Sequence, residues 1–259
     1  LDTGAGELVQ RRPVAYQEGP RGRRPVEVAY RIEADGAVGF TVGEHDSRRP
    51  LVIDPVLGYS TFLGGTGFDQ CWDVAVNAAG SAFVTGETES ASYTHLRILS
   101  TNAFRTNYQG GLANVAGDAF VAKLTPNGRA VEWFTYLGGS DLESGFTITL
   151  ASGDEPVVGG FSASTNFPVT ASAYQSNLPG LTNKYTGRPP LQAFISRLKA
   201  DGSGLVASTL FGAEGEEQVI DLALLPDESV VAVGTTTSTN FVTTAGAAQR
   251  RYGGATDGF

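Results

Sequence analysis

Leu63-Gly64-Gly65 returns as Leu137-Gly138-Gly139 and then as Leu210-Phe211-Gly212, at steps that differ by a single position. Around it the chain keeps the same beat. Gly86 returns as Gly160 and again as Gly234, at one constant step. Phe120 in DAFVAKL returns as Phe194 in QAFISRL and as Phe259 in the closing DGF. A fixed period of this kind marks one supersecondary unit that cannot bury its faces alone and stacks on copies of itself.

Each copy reads as four short strands. In the first they are Trp72–Asn77, Ala82–Glu87, Ala119–Leu124 and Ala130–Leu137, with Pro126-Asn127-Gly128 as the last hairpin turn. The second offers Phe146–Leu150, Pro156–Phe161, Ala193–Leu198 and Leu205–Leu210, turning at Asp201-Gly202. The third offers Val219–Leu224 and Val230–Thr235, then stops within its third strand. Helical periodicity is absent, so the fold class is all-β. Four antiparallel strands repeated radially is the logic of a β-propeller blade. This chain would supply two complete four-stranded blades and part of a third, an open arc. A long polar loop from Thr88 to Asp118 joins the second and third strands of the first copy, and its later counterparts repeat STNFPVT (164–170) as STNFVTT (238–244). A loop that repeats its sequence is an ordered one.

Residues 1–57 are different. Val26–Ile32 and Val38–Val42 alternate at period 2 about Asp35-Gly36, which predicts a β-hairpin, and Leu51-Val52-Ile53 is a short apolar strand. The expected division is a small β-rich segment over 1–57 and repeats over 58–259, with blades at about 59–137, 138–211 and 212–259.

Composition narrows the function classes. Of 259 residues 41% are hydrophobic, only 17% are charged and 34 are Gly, which suits a turn-rich β protein. Net charge is −9, and nearly all of it falls after residue 58, where 10 basic residues face 18 acids. Phosphate-rich partners would be repelled, so nucleic acid is not an expected partner. No apolar run is long enough for a membrane helix, so membrane insertion is not expected either. Cys71 is the single cysteine, which excludes an intrachain disulfide, and its place at the start of a strand predicts a small buried hydrophobe. With no Met and a last copy that stops in mid-repeat, the chain reads as a piece of a longer protein. The remaining blades of that parent are then its first expected partner.

YSTFLGGTGFD (59–69), FTYLGGS (134–140), GSAFVTGET (80–88), STNFPVT (164–170) and GDAFVAKLTPNG (117–128) together resemble the bacterial seven-bladed β-propeller repeat family, of SBBP type. RRPVAYQE (11–18) and RPLVIDPVL (49–57) resemble the end of the β-rich domain that often precedes such repeats. The resemblance implies an exported or cell-surface bacterial protein. It supplies no catalytic residues and no cofactor.

Two sets of side chains invite a functional reading. Asp69, then Asp141 and Glu143, then Glu214, Glu216 and Glu217 follow each glycine pair, and a ring of such carboxylates could bind Ca²⁺. The tightly spaced D-x-D pattern of calcium loops is missing, and solvated turn charges are the competing reading. Asn166, Phe167, Asn240 and Phe241 recur in the long loops, where the aromatics could stack on a sugar or peptide or could pin the loop by burial. The glycine pairs precede no helix and no Lys-Ser/Thr, so they are no phosphate cradle, and a close backbone approach or positive φ explains them. Arg21, Arg23 and Arg24, with Glu18 and Glu27 nearby, read as a solvated turn. The expected function is a non-enzymatic structural or interaction module used in adhesion or in glycan or protein binding. The alternative is a scaffold fragment of a polysaccharide-acting hydrolase or lyase.

Overall fold

The computed structural model describes residues 13–20, 22–32, 38–54, 59–110, 117–177 and 189–259. The chain divides into two compact units, Leu1–Ser60 and Thr61–Phe259.

In the first unit, β1 (Val14–Gly19) pairs antiparallel with β2 (Gly22–Val26) and with β5 (Val52–Asp54). The hairpin β3 (Val28–Ile32) and β4 (Val38–Val42) forms a separate two-stranded sheet, its turn lying outside the described residues. Ala15, Val26 and Val28 form a small core with Val42, Leu51 and Ile53. Gln17 is buried and ties the Asp46–Arg49 turn to β1. Its Nε2 donates to the Asp46 and Arg49 carbonyls at 2.8 and 3.2 Å, and its Oε1 accepts from Asp46 N at 2.8 Å. Arg21 lies outside the described residues, and Arg23 and Arg24 are not in a turn. Arg23 and Arg24 lie in β2, an edge strand, which is also where Pro25 is tolerated. Arg23 lies over the Tyr16 ring at 4.3 Å and pairs with Glu18 at 3.1 Å.

Among the described residues the second unit holds three antiparallel sheets in simple meander order. The first holds β6 (Asp69–Val76), β7 (Ala82–Thr88), β8 (Asp118–Leu124) and β9 (Val131–Leu137). The second holds β10 (Glu143–Ala151), β11 (Glu155–Ser162), β12 (Gln192–Leu198) and β13 (Leu205–Phe211). The third holds β14 (Glu217–Leu224), β15 (Val230–Thr236) and the short β16 (Asp257–Gly258). The repeat strands predicted from alternation are all present, with ends that differ by a few positions.

The sheets stack face to face in chain order. Ala119, Val121, Trp133 and Leu137 of the first meet Ile148, Val158, Phe194, Leu198 and Leu210 of the second in one cluster. Val157 and Ala193 of the second meet Val219 and Leu222 of the third in another. Phe83, Phe120 and Phe194 are fully buried. Each such ring contributes about 1.5–3 kcal/mol of burial. The fourth strands have covered edges. Leu99 N and Ser100 N donate to Val131 O and Glu132 O at 2.9 Å, and in the second sheet Thr170 N donates to Ser208 O at 3.0 Å.

Structure corrects the alignment of the third copy, whose step from the second equals the step before it. Leu137 corresponds to Phe211, Gly138 to Gly212 and Gly139 to Ala213. The proof lies in three β-bulges, between Cys71 and Asp73, Gly145 and Thr147, and Val219 and Asp221. Opposite them, a Cβ on Gly86, Gly160 or Gly234 would lie 1.9 Å from the carbonyl oxygen of Gln70, Ser144 or Gln218. The bulge therefore demands glycine at this position in every copy.

Candidate functional site

The recurring carboxylates are structural clasps. Asp69, Glu143 and Glu217 open the first strand of their sheets, and each collects the same donors. Asp69 accepts from Gly65 N at 2.8 Å, Thr88 Oγ1 at 2.6 Å and Ser90 Oγ at 2.8 Å. Glu143 accepts from Gly139 N at 2.7 Å, from Ser162 Oγ at 2.5 Å and from the Ser164 hydroxyl. Glu217 accepts from Ala213 N at 2.9 Å, Thr236 Oγ1 at 2.7 Å and Ser238 Oγ. The serine oxygens in turn accept from Gly67 N, Asp141 N and Gly215 N at 2.8, 2.7 and 2.7 Å. Each clasp thus ties the turn entering a sheet to the far end of its second strand, where the long loop departs. Charge-assisted bonds of this type contribute about 1.5–3 kcal/mol each. The shorter Asp69 gains a further donor, Tyr93 Oη, at 3.1 Å.

The structure does not gather the six acids into one site. Glu143 and Glu217 are fully buried, and their oxygens are occupied by protein donors. Asp141 accepts from its neighbour Leu142 N at 3.0 Å, and Glu214 accepts from Thr239 Oγ1. Glu216 N donates to Thr237 Oγ1 at 2.7 Å within the same turn. Among the described residues no three His, Cys, Asp or Glu side chains converge.

The glycine pairs recur because of close approach, since none of Gly64, Gly65, Gly138 and Gly139 has positive φ. A Cβ on Gly138 would lie 2.6 Å from Glu143 Oε2 and 2.7 Å from Asp118 Oδ1. Asp118 and Glu143 are therefore two enclosed carboxyls facing one glycine Cα, both with no exposed surface. Burial is the main reason that both are pushed up to about 7, opposed for Asp118 by a bond from Gln109 N and by Arg105. Asp118 Oδ1 has no hydrogen-bond partner. At the next junction Gln192 stands where Asp118 stood, and its Nε2 donates to Glu217 Oε2 at 3.3 Å. Asp118 and Gln192 escaped the sequence reading. Aligning the copies on Gly86, Gly160 and Gly234 was the signal that could have found them.

The Asn-Phe loops divide. Phe167 is buried against Phe194, ring centroids 4.7 Å apart, which makes it a core residue. Asn166 is exposed, yet its Oδ1 accepts from Ser140 N at 2.8 Å and Oγ at 3.1 Å. Phe241 is half-buried, stacked on Phe259 at 4.9 Å. With Tyr174, Ile195, Phe211 and Val242 it lines an apolar cleft of about 330 Å³ between the second and third sheets. Between the first two sheets the Lys199–Gly204 turn is bonded to the first, with Phe104 N donating to Gly202 O at 2.7 Å and Trp133 Nε1 to Ala200 O at 3.0 Å. Asn240 Oδ1 accepts from Glu214 N at 3.4 Å, longer than its counterpart. The cause is Ala213, since a Cβ at the equivalent Gly139 would lie 2.5 Å from Asn166 Oδ1.

Cys71 is exposed, not a buried hydrophobe. Its counterparts Gly145 and Val219 face the preceding sheet, and among the described residues of this unit no sheet precedes the first. Partial desolvation and the Asp69 carboxylate push the thiol up, away from the thiolate a nucleophile needs. His45 Nδ1 lies 2.9 Å from Gly43 O at the surface of the first unit. His95 and Arg97 line a surface cavity of about 350 Å³ with Phe62, Leu96 and Arg129. Among the described residues no helix is long and apolar enough to cross a membrane.

Comparison with known proteins adds little chemistry. A model of a domain of unknown function, DUF7948, matches residues 1–56. No curated protein matches the chain. A solved structure of a protein of unknown function from Dyadobacter fermentans DSM 18053 is similar at 12% identity and a TM-score of 0.39. The match covers 89% of this chain and 64% of that one.

Proposed function

We propose that this chain is a non-catalytic scaffold from an exported bacterial protein, in which the recurring sheets are blades of a β-propeller. Its loops between second and third strands would be the surface that meets a glycan or protein partner outside the cell. The recurring clasp carries this reading. The polar groups common to all three copies are spent on fixing where each long loop leaves its sheet. Loops anchored in this way on a rigid stack make a repeated, ordered display surface. The Asp118 and Glu143 carboxyls, which face one glycine, are both fully enclosed.

The test is a glycan-array and protein-binding screen of the full chain, alongside an assay for polysaccharide cleavage. Saturable binding that weakens at least tenfold in Asn166→Ala or Asn240→Ala supports the scaffold reading. Release of oligosaccharide by the wild-type chain overturns it in favour of a hydrolase or lyase.

A further inference from the structure

We infer that the junction between the first two repeat sheets is locked by a proton shared between the Asp118 and Glu143 carboxyls, in the place where the second junction uses the Gln192 amide. The two junctions are otherwise built alike. In both, the clasp glutamate and a side chain at the head of the third strand press on a glycine, Gly138 or Gly212. At the second, Gln192 Nε2 supplies a donor to Glu217 Oε2 and to the carbonyls of Ala213 and Gly215. At both junctions the oxygen of this side chain is buried without a partner, Asp118 Oδ1 at the first and Gln192 Oε1 at the second, but at the first an ionised Asp118 has no donor to offer the glutamate. A protonated Asp118 restores the donor and removes the repulsion between two enclosed carboxylates.

The surrounding charges do not replace that proton. Arg105, from the long loop, spends its Nη1 on the Gly138 carbonyl. Among the described residues, Tyr108 of the same loop and Tyr136 of β9 also face Asp118. Burial holds both as neutral phenols. Raised carboxyl pKa values mean that stability is full at acid pH and is lost as pH rises through about 7. The first junction therefore loosens in alkali while the second, with its amide, does not. Such a chain carries a pH response at one chosen seam of an otherwise uniform stack.

The experiment compares thermal melts of the full chain between pH 5.5 and 8.5 for wild type, Asp118→Asn and Gln192→Glu. The wild-type Tm should fall by about 3–6 °C across that range as the enclosed pair loses its proton. Asp118→Asn should flatten the fall, and Gln192→Glu should deepen it. An Asp118→Asn variant that keeps the wild-type slope overturns the proposal, as does a flat wild-type curve. If Asp118→Asn does not fold, infrared spectroscopy of the wild type decides. A protonated-carboxyl stretch present at pH 6 and gone at pH 8.5 supports the shared proton, and its absence at pH 6 contradicts it.

Discussion

Asp154 accepts a hydrogen bond from Asn77 Nδ2 at 2.6 Å while its own backbone sits at φ 64°. The left-handed conformation costs a non-glycine residue about 1–2 kcal/mol. Gly80 holds the same turn position in the first sheet at φ 84°, and Glu228 holds it in the third at φ 66°. Glu228 also reaches back to the preceding sheet, accepting from Ser152 N and Arg197 Nη1, both at 2.8 Å. Strain at this turn is thus retained where the side chain staples one sheet to the one before it.

That relationship predicts an order of stabilities. Asp154→Gly relieves strain as it loses the staple, and its net change should be within about 1 kcal/mol of zero. Asp154→Ala keeps the strain and loses the staple, so it should destabilise by about 1–2 kcal/mol. Urea denaturation of both variants checks this. A glycine variant less stable than the alanine variant contradicts it.

The glycines predict a graded response. Gly160→Ala drives a Cβ to 1.9 Å from the Ser144 carbonyl oxygen, and backbone in a paired strand yields poorly. A loss of about 3 kcal/mol is expected. Gly139→Ala meets side chains, and Ala213 shows the stack tolerating that methyl with a lengthened Asn240 bond. A loss of about 1 kcal/mol is expected there. Equal losses in the two variants would refute the distinction.

Phe167 and Phe241 should separate by stability although their sequence contexts match. Phe167→Ala opens the first inter-sheet core and should cost about 3–5 kcal/mol. Phe241→Ala removes a half-buried ring stacked on Phe259 and should cost about 1 kcal/mol. Chemical denaturation of the two variants provides the comparison, and similar losses would place both rings in equivalent cores.

An acid limb is expected beside the alkaline one. Bonds from Ser152 and then from Arg197 hold Glu228 down at about 2. A depressed carboxyl contributes stability above its unfolded pKa and loses it as pH falls through the folded one. Melts of wild type and Glu228→Gln should therefore converge between about pH 4 and pH 2. A difference that stays constant down to pH 2 would rule out this origin.

Much of the β architecture was legible because alternation and hairpin turns are local signals. Ala119–Leu124 and Asn127-Gly128 state their roles within a few residues. The clasp was not legible, because Glu143 meets Ser162 only across two whole strands and the turn between them. Isolated serines and threonines carry no periodic pattern. The strand β2 was missed because Arg23, Arg24 and Pro25 look like a turn, and only its place at a sheet edge makes them acceptable. Phe167 and Phe241 share their context, and what separates their burial is the packing of the sheet beside each. Cys71 shows the same limit, since its exposure is decided by the sheet that would face it.

The most direct measurement is the unfolding free energy of wild type and Glu217→Gln in urea, with and without millimolar Ca²⁺. Glu217 acting as a clasp predicts a loss of about 2–3 kcal/mol in the variant, equal in both buffers, and no calcium effect on the wild type. Calcium stabilisation of the wild type that vanishes in Glu217→Gln, with no loss in calcium-free buffer, would contradict the clasp and make these carboxylates a metal site.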